Sequence, residues 1–333
     1  MNTTLITGAS GFIGGHLAKR LVKENWKVKL LVRDVAKLSD ELQSATKVIS
    51  GDLSDEFALE QAVSGVSVIF HCAANVKTWD NTSSYYTSNV LGVQNLLNAI
   101  LKHNPNLSRL VHISTADVYG FPVVPCDEKS PTFETGFGYG DSKLRGENLL
   151  REYCAFNHIN YTIIRPGNVI GYKSQFIERI SKELKSGLLL TIDKGRVNSG
   201  FIYIDNLIDY LIWAACAKHA VFQCYNVRDN YDVSWAEFIE SLRGLLNGRG
   251  LVLDLPFSVA NGLAISIEQF YQLFLPNHEP ILHRLLVRIF GRTCGHSAEK
   301  IHRDSGIVGR IGFDEAMRKS LSVLMDSGIS GQG

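Results

Sequence analysis

The stretch Thr3-Thr4-Leu5-Ile6-Thr7-Gly8-Ala9-Ser10-Gly11-Phe12-Ile13-Gly14 decides how the rest of the chain is read. A short β-favouring run meets glycines at 8, 11 and 14, and an apolar period of 3.6 residues then occupies 12–24. Glycines at this spacing permit a tight turn, a close backbone approach and close helix–sheet packing. They also leave backbone N–H groups at a helix N-terminus facing outward, where an anion is favoured. Strand, glycine turn and helix together predict a seat for the pyrophosphate of a dinucleotide, formed by Gly8, Ser10, Gly11, Phe12, Ile13 and Gly14. No Gly-Lys-Ser/Thr follows the loop, which argues against a phosphate-loop nucleotidase.

Working outward, short apolar runs at 27–32, 66–71, 107–114 and 160–165 alternate with helical patterns at 55–63, 82–103 and 139–157. Continuous apolar strands are expected where helices cover both faces of a sheet. The alternation therefore predicts an α/β chain, a Rossmann-type doubly wound parallel sheet with a smaller, mainly helical C-terminal substrate domain. Runs at 201–204 and 221–226 read as strands that extend the same sheet, whereas 173–191 and the tail from 231 read as mainly helical and loop-rich. The expected division is 1–166 with 200–227 for the dinucleotide, and 167–199 with 228–326 for the substrate. The small, polar residues 327–333 read as frayed.

Composition narrows the class. Of 333 residues 45% are apolar and 20% charged, and the net charge is +1, so there is no basic excess for a nucleic-acid binder. Six scattered cysteines contain no C-x-x-C pair and read as reduced, with four or more in apolar strands and helices. The N-terminus enters a strand at once, without the basic and apolar regions of a signal peptide, which predicts a cytoplasmic protein. The stretch 257–274 is interrupted by Asn261, Glu268, Gln269 and Gln272 and falls short of the ~20 clean apolar residues of a membrane span. It reads as an amphipathic helix. Core packing is its ordinary reading, and contact with a membrane or a lipid-like substrate the lesser one.

After the second strand come Arg33 and Asp34, where a carboxylate would grip the adenosine ribose of NAD and an arginine would pair with a 2′-phosphate. Arg33 directly continues the strand and Lys37 follows one turn later, which favours NADP(H), with NAD as the alternative. Asp52, after the third strand, either meets the adenine edge or caps the next helix.

Tyr139-Gly140-Asp141-Ser142-Lys143 places a phenol and an ammonium on one helix face. A free tyrosine, with a pKa of about 10, is a poor proton carrier at neutral pH, and a nearby ammonium favours its phenolate. One such pair is close to what chance provides, so its position carries the argument. It opens a helix after the strand that ends in Ser114-Thr115, whose hydroxyl could hold a substrate oxygen beside the phenol.

These motifs, with His71-Cys72-Ala73-Ala74, Thr115-Ala116-Asp117-Val118-Tyr119-Gly120 and Arg165-Pro166-Gly167, resemble the extended short-chain dehydrogenase/reductases over nearly the whole chain. Val76-Lys77-Thr78-Trp79, Phe201-Ile202-Tyr203-Ile204-Asp205 and Val233-Ser234-Trp235 are most similar to the 3β-hydroxysteroid dehydrogenase branch. The resemblance implies Tyr139 as acid/base, Lys143 on the nicotinamide ribose and Thr115 beside the substrate oxygen. It further implies Leu53, Ala73, Ala74 and Pro166 at the cofactor, Val76, Trp79 and Asn168 at a small-molecule substrate, and a homodimer through the helices at 82–103 and 139–157. Ala116 stands where the family's dehydratases carry an acid, and Ser199-Gly200 where its sugar-nucleotide members carry Arg-Asp. Asn168, conversely, matches a residue that those members use near the diphosphate. The balance implies an apolar hydroxy or keto substrate, sterol-like or a long-chain β-keto acid. A sugar-nucleotide epimerase and a non-catalytic NADPH sensor are the alternatives.

His71 reads as a packed core histidine, and Asn89 as a support between helix and catalytic strand. Tyr203 and Asp205 read as stabilising the sheet. His278, His283, His296 and His302 lack metal-ligand spacing, so no metal is expected. Arg284, Arg288 and Arg292 recur every four residues and read as one solvated helix face.

Overall fold

A computed structural model describes residues 3–275 and 278–329. Its central sheet has strands β1 (Thr3–Thr7), β2 (Lys27–Val32), β3 (Lys47–Ser50), β4 (Val68–His71), β5 (Arg109–Ile113), β6 (Tyr161–Pro166) and β10 (Gln223–Val227). They run parallel in the order β10-β6-β5-β4-β1-β2-β3. Side chains alternate between faces along each strand. Ile6, Phe70, Val111 and Ile164 pack with helices Phe12–Lys23 and Ile204–Cys216 on one face. Leu5, Ile69, Leu110 and Ile163 pack with helices Glu56–Val63, Gly92–His103 and Gly138–Phe156 on the other. Every residue of β4, β5 and β6 is buried, the polar His71, Arg109, His112, Thr162 and Arg165 included, as expected of strands covered on both faces. The strand order reverses between β1 and β4, the point at which such sheets open a ligand crevice.

Three expectations need correction. Strand β9 (Phe201–Tyr203) does not extend the main sheet; it pairs with β7 (Asn168–Ile170). A Cβ on Gly167 would lie 2.1 Å from the Gly200 carbonyl oxygen, and Gly200 has φ +62°. The chain leaving β6 therefore crosses the β9 entry at backbone contact and peels away, leaving the edge to β10. Second, the C-terminal region is not only helix and loop, because β11 (Leu251–Leu255) pairs in parallel with β8 (Leu188–Ile192). Third, the helix expected at 82–103 is interrupted by a π-helical turn, Thr87–Leu91.

Cys154, Cys224 and Cys294 are buried, Cys72 and Cys126 half-buried and Cys216 exposed, all as free thiols; full burial thus takes three cysteines, not four. Helix Phe313–Ile329 runs through Ser327, and 330–333 lie outside the described residues. Among the described residues no helix is long and apolar enough to cross a membrane.

Candidate active site

The glycine loop fits a dinucleotide phosphate. Gly11 N donates to the Gly8 carbonyl at 2.9 Å, closing the turn. A Cβ at Gly8 would sit 2.7 Å from Ala73 Cα, and one at Gly14 2.4 Å from the Gly8 oxygen. The loop after β1 and the loop after β4 therefore touch through backbone. Helix Phe12–Lys23 starts with Gly11 as N-cap, with no side-chain cap and no acid in its first turn. Its first N–H groups and its dipole stay free for an anion. Ser10, Phe12 and Ile13 lie on this turn. Ala73 N donates to Thr7 Oγ1, which bonds His71 Nδ1 at 2.8 Å. Burial drops the His71 pKa to about 3, so this histidine is a neutral core group as expected.

Further along the crevice, Arg33 is exposed, whereas the Asp34 carboxylate accepts from Ala36 N at 3.0 Å and caps a short 3₁₀ turn that contains Lys37. Asp52 does not cap the next helix; Asp55 does, accepting from Ala58 N. Asp52 instead accepts from the Ser54 hydroxyl and N–H, which hold its carboxyl below the usual range, with a smaller contribution from Arg33. Leu53 is pressed against Gly92, where a Cβ would come within 2.7 Å of Leu53 Cδ1. Ala73 and Ala74 are half-buried beside the glycine loop, and Pro166 ends β6 opposite Val227.

Tyr139 lies in the first turn of helix Gly138–Phe156, half-buried, and Lys143 lies one turn on, fully buried. Burial is the largest influence on the phenol and raises its pKa; the nearby Asp117 carboxyl adds to this, while the hydrogen-bonded Thr115 hydroxyl opposes it. Lys143 is not a significant influence on the phenol. Its Nζ donates to the Ile113 carbonyl at 2.7 Å, and burial lowers its own pKa to about 8. Desolvation and Asp117 set the direction of the phenol's shift. Asp117, to which the sequence motif assigns no role, is the carboxyl that acts on Tyr139. Its carboxyl is pushed up to about 7 by burial alone. Thr115, two residues past β5, accepts from Asp117 N at 3.2 Å, caps the short turn Ala116–Tyr119 and acts on the phenol through its hydroxyl.

Two polar clusters hold this geometry. Asn89, in the π-turn, accepts from Asn75 N and donates to Asn75 O and Ser142 Oγ, tying the loop after β4 to the Tyr139 helix. A Cβ on Gly146 would lie 2.2 Å from the Asn89 oxygen, so the helices meet at backbone distance. Deeper, Glu147 pairs with Arg165 and Arg151, and Arg165 also donates to the Tyr119 hydroxyl at 2.8 Å. Burial would raise the Glu147 pKa, but the two guanidinium groups win and hold it low.

Around the opening, Val76 is exposed, and Trp79 lies 5.6 Å from the His283 ring. Asn168 donates to the Ser199 carbonyl at 2.6 Å and so serves the β7–β9 crossing. The three arginines read as a solvated face are not one. Arg284 pairs with buried Glu268 and lies over Phe137, and Arg288 and Arg292 lie over Phe257 at 5.3 and 3.4 Å. A buried carboxylate and an aromatic face draw these guanidinium groups inward. Among the described residues no group of three His, Cys, Asp or Glu is placed to hold a metal ion.

The model of the NAD dependent epimerase/dehydratase family matches residues 4–227. A 4-hydroxy-2-methyl-3-oxo-4-farnesyl-3,4-dihydroquinoline-1-oxide ketoreductase of Stigmatella aurantiaca is 26% identical, over 99% of this chain and 98% of its own. An N-acetyl-alpha-D-glucosaminyl-diphospho-ditrans,octacis-undecaprenol 4-epimerase of Escherichia coli O157:H7 is 25% identical, over 96% and 94%. A solved UDP-glucuronic acid 4-epimerase of Bacillus cereus, in complex with UDP-glucuronic acid and NAD, superposes with a TM-score of 0.78 at 22% identity, over 98% and 99%. A glycine loop shaped for a dinucleotide and a profile match over most of the chain lead to one conclusion: this is a nicotinamide-dependent enzyme of the oxidoreductase and epimerase class, and it belongs to the NAD dependent epimerase/dehydratase family.

Proposed function

We propose that the protein is an NADP(H)-dependent reductase that interconverts a ketone and a secondary alcohol on an apolar substrate carrying a long aliphatic chain. Gly8, Ser10, Gly11, Phe12, Ile13 and Gly14 would hold the pyrophosphate, Arg33 the 2′-phosphate and Lys143 the nicotinamide ribose. The bound nicotinamide supplies or accepts the hydride. Thr115 donates a hydrogen bond to the substrate oxygen, and Tyr139 gives its phenolic proton to that oxygen during reduction and takes it back during oxidation. The observation that carries this reading is the placing of Tyr139 on the helix that also buries Lys143 one turn on, with the Thr115 hydroxyl acting on the phenol.

Charge at the opening supports an apolar substrate over a sugar nucleotide. Arg284 is spent on Glu268, and Arg228 on the His296 carbonyl and Asp232. A diphosphate entering here would have to break these pairs. The farnesyl group in the name of the S. aurantiaca relative supports the same reading, whereas the name of the E. coli relative joins a long polyprenyl chain to a sugar diphosphate and supports the chain alone. The 3β-hydroxysteroid type remains a member of the same substrate class.

The test is a coenzyme-turnover screen with NADPH and NADH against prenylated ketones, β-keto acids, sterols and UDP-sugars. Turnover of an apolar ketone is expected, and Tyr139→Phe should lower it by roughly 10²–10⁴-fold while leaving coenzyme affinity unchanged. Tightly copurified NAD⁺ with no net turnover, and epimerisation of a UDP-sugar, would assign the chain to the epimerases instead.

A further inference from the structure

We propose that helix Phe257–Phe274 seats the protein on an anionic lipid bilayer and brings the substrate opening to the membrane surface. The helix has 18 residues, of which Glu268 is the single charged one, buried and paired with Arg284. Val259, Leu263, Phe270, Leu273 and Phe274 are exposed, by 46% to 73%. At 3.6 residues per turn they fall within a sector of about 100°, with Ser266 in the gap. Ala260, Ala264 and Glu268 mark the opposite, buried side. An ordinary surface helix places charges on its outer face; this one places leucine and phenylalanine there.

Charge at the start of the helix selects the occupant. Phe257 N donates to Asp193 Oδ1, and Arg288 and Arg292 lie over the Phe257 ring. Lys194 and Arg196, next to Asp193, are exposed and carry no ion pair among the described residues. Lys194 thus sits beside the N-terminal end through Asp193 and Asp254, and the two arginines over Phe257 add positive charge there. An apolar helix face with excess positive charge at one end is complementary to an anionic headgroup layer over acyl chains.

The far end of the helix borders the opening. Glu279 accepts from Thr78 Oγ1 at 2.8 Å, His283 lies against Trp79, and Arg284 lies over Phe137, the residue that precedes the Tyr139 helix. Ile281 and Val76, 78% and 60% exposed, continue the apolar surface onto this rim. A chain-bearing ketone dissolved in the bilayer could then pass to Tyr139 without crossing water. This passage rests on the apolar-substrate reading above; the docking itself does not.

The experiment is flotation of the full chain with vesicles of equal parts phosphatidylcholine and phosphatidylglycerol, and with phosphatidylcholine alone. Binding to the anionic vesicles is expected, weakened by salt and at least roughly tenfold above that to neutral ones. Combining Phe270→Ser, Leu273→Ser and Phe274→Ser should abolish it, and Lys194→Glu with Arg196→Glu should weaken it by roughly tenfold or more. NADPH affinity and the melting temperature should be unchanged in both, since these side chains face solvent. Absence of vesicle binding, or binding undiminished in the triple variant, overturns the proposal. A triple variant that instead turns a dimer into a monomer in sedimentation assigns the face to a second copy and also overturns it. Vesicle binding by a protein that turns over only UDP-sugars would sink the apolar-substrate reading and leave the docking intact.

Discussion

A single carboxyl illustrates how strongly burial governs this site. Asp117 has no cation beside it, and its pKa rises to about 7 from the ordinary carboxylate value near 4. The folded state then holds a proton more tightly than the unfolded state. Its stabilising effect is full below about pH 4 and is lost as pH rises through about 7. Asp117→Asn should therefore flatten the fall in melting temperature between pH 5 and pH 8; a variant with the wild-type slope would contradict the assignment. Arg33 poses a different test. Asp34 has turned its carboxylate into a cap, and Arg33 stays exposed, with Asp52 as an electrostatic neighbour. Arg33→Ala should weaken NADPH binding by roughly tenfold or more, the worth of a charge-assisted contact, and leave NADH nearly untouched. Equal losses for both coenzymes would remove its phosphate-reading role.

Among the elements, the helix that carries Tyr139 is held by charge as well as by packing. Leu150 and Cys154 fill the core beneath it, and Glu147 joins it to β6 through Arg165. Removing one partner of a buried ion pair leaves the other charge uncompensated. Glu147→Ala should cost about 3–5 kcal/mol, measured by denaturant unfolding. The loss should exceed that of Arg145→Ala on the same helix, where the Glu134 pair is exposed and such pairs contribute about 0–1 kcal/mol. Comparable losses for the two would show that the buried cluster is not what anchors the helix. The π-turn at Thr87–Leu91 acts in the same direction, because its wider turn lets the Asn89 amide reach the loop after β4 and Ser142 together.

At the scale of the whole molecule, the two regions share one core. Ile6 and Phe70 of the main sheet belong to the same buried cluster as Trp235, Phe238, Ile301 and Leu321. Trp235 is fully buried, donates to the Ile289 carbonyl and lies 4.6 Å from the Phe290 ring. Trp235→Ala should cost about 3–5 kcal/mol and shift one calorimetric transition for the entire chain. A separate low-temperature transition confined to the C-terminal region would show that the two regions fold as independent units.

The nucleotide half of this protein was legible from its residues because local rules set it. The β1–glycine–helix unit, the apolar strands and the four-residue interval from Tyr139 to Lys143 depend on backbone geometry and on periods of 2 and 3.6, which neighbouring residues carry. Whatever depended on contacts between distant segments was decided only by tertiary structure. The partner of β9 follows from the Gly167–Gly200 crossing, and the pairing of β8 with β11 joins segments with no shared local signal. Arg284, Arg288 and Arg292 turned inward because Glu268 and Phe257 were there to receive them. The proton affinities of Tyr139, Lys143 and Asp117 were likewise out of reach of the sequence, since desolvation is a property of the surroundings and the surroundings exist only once the chain has folded.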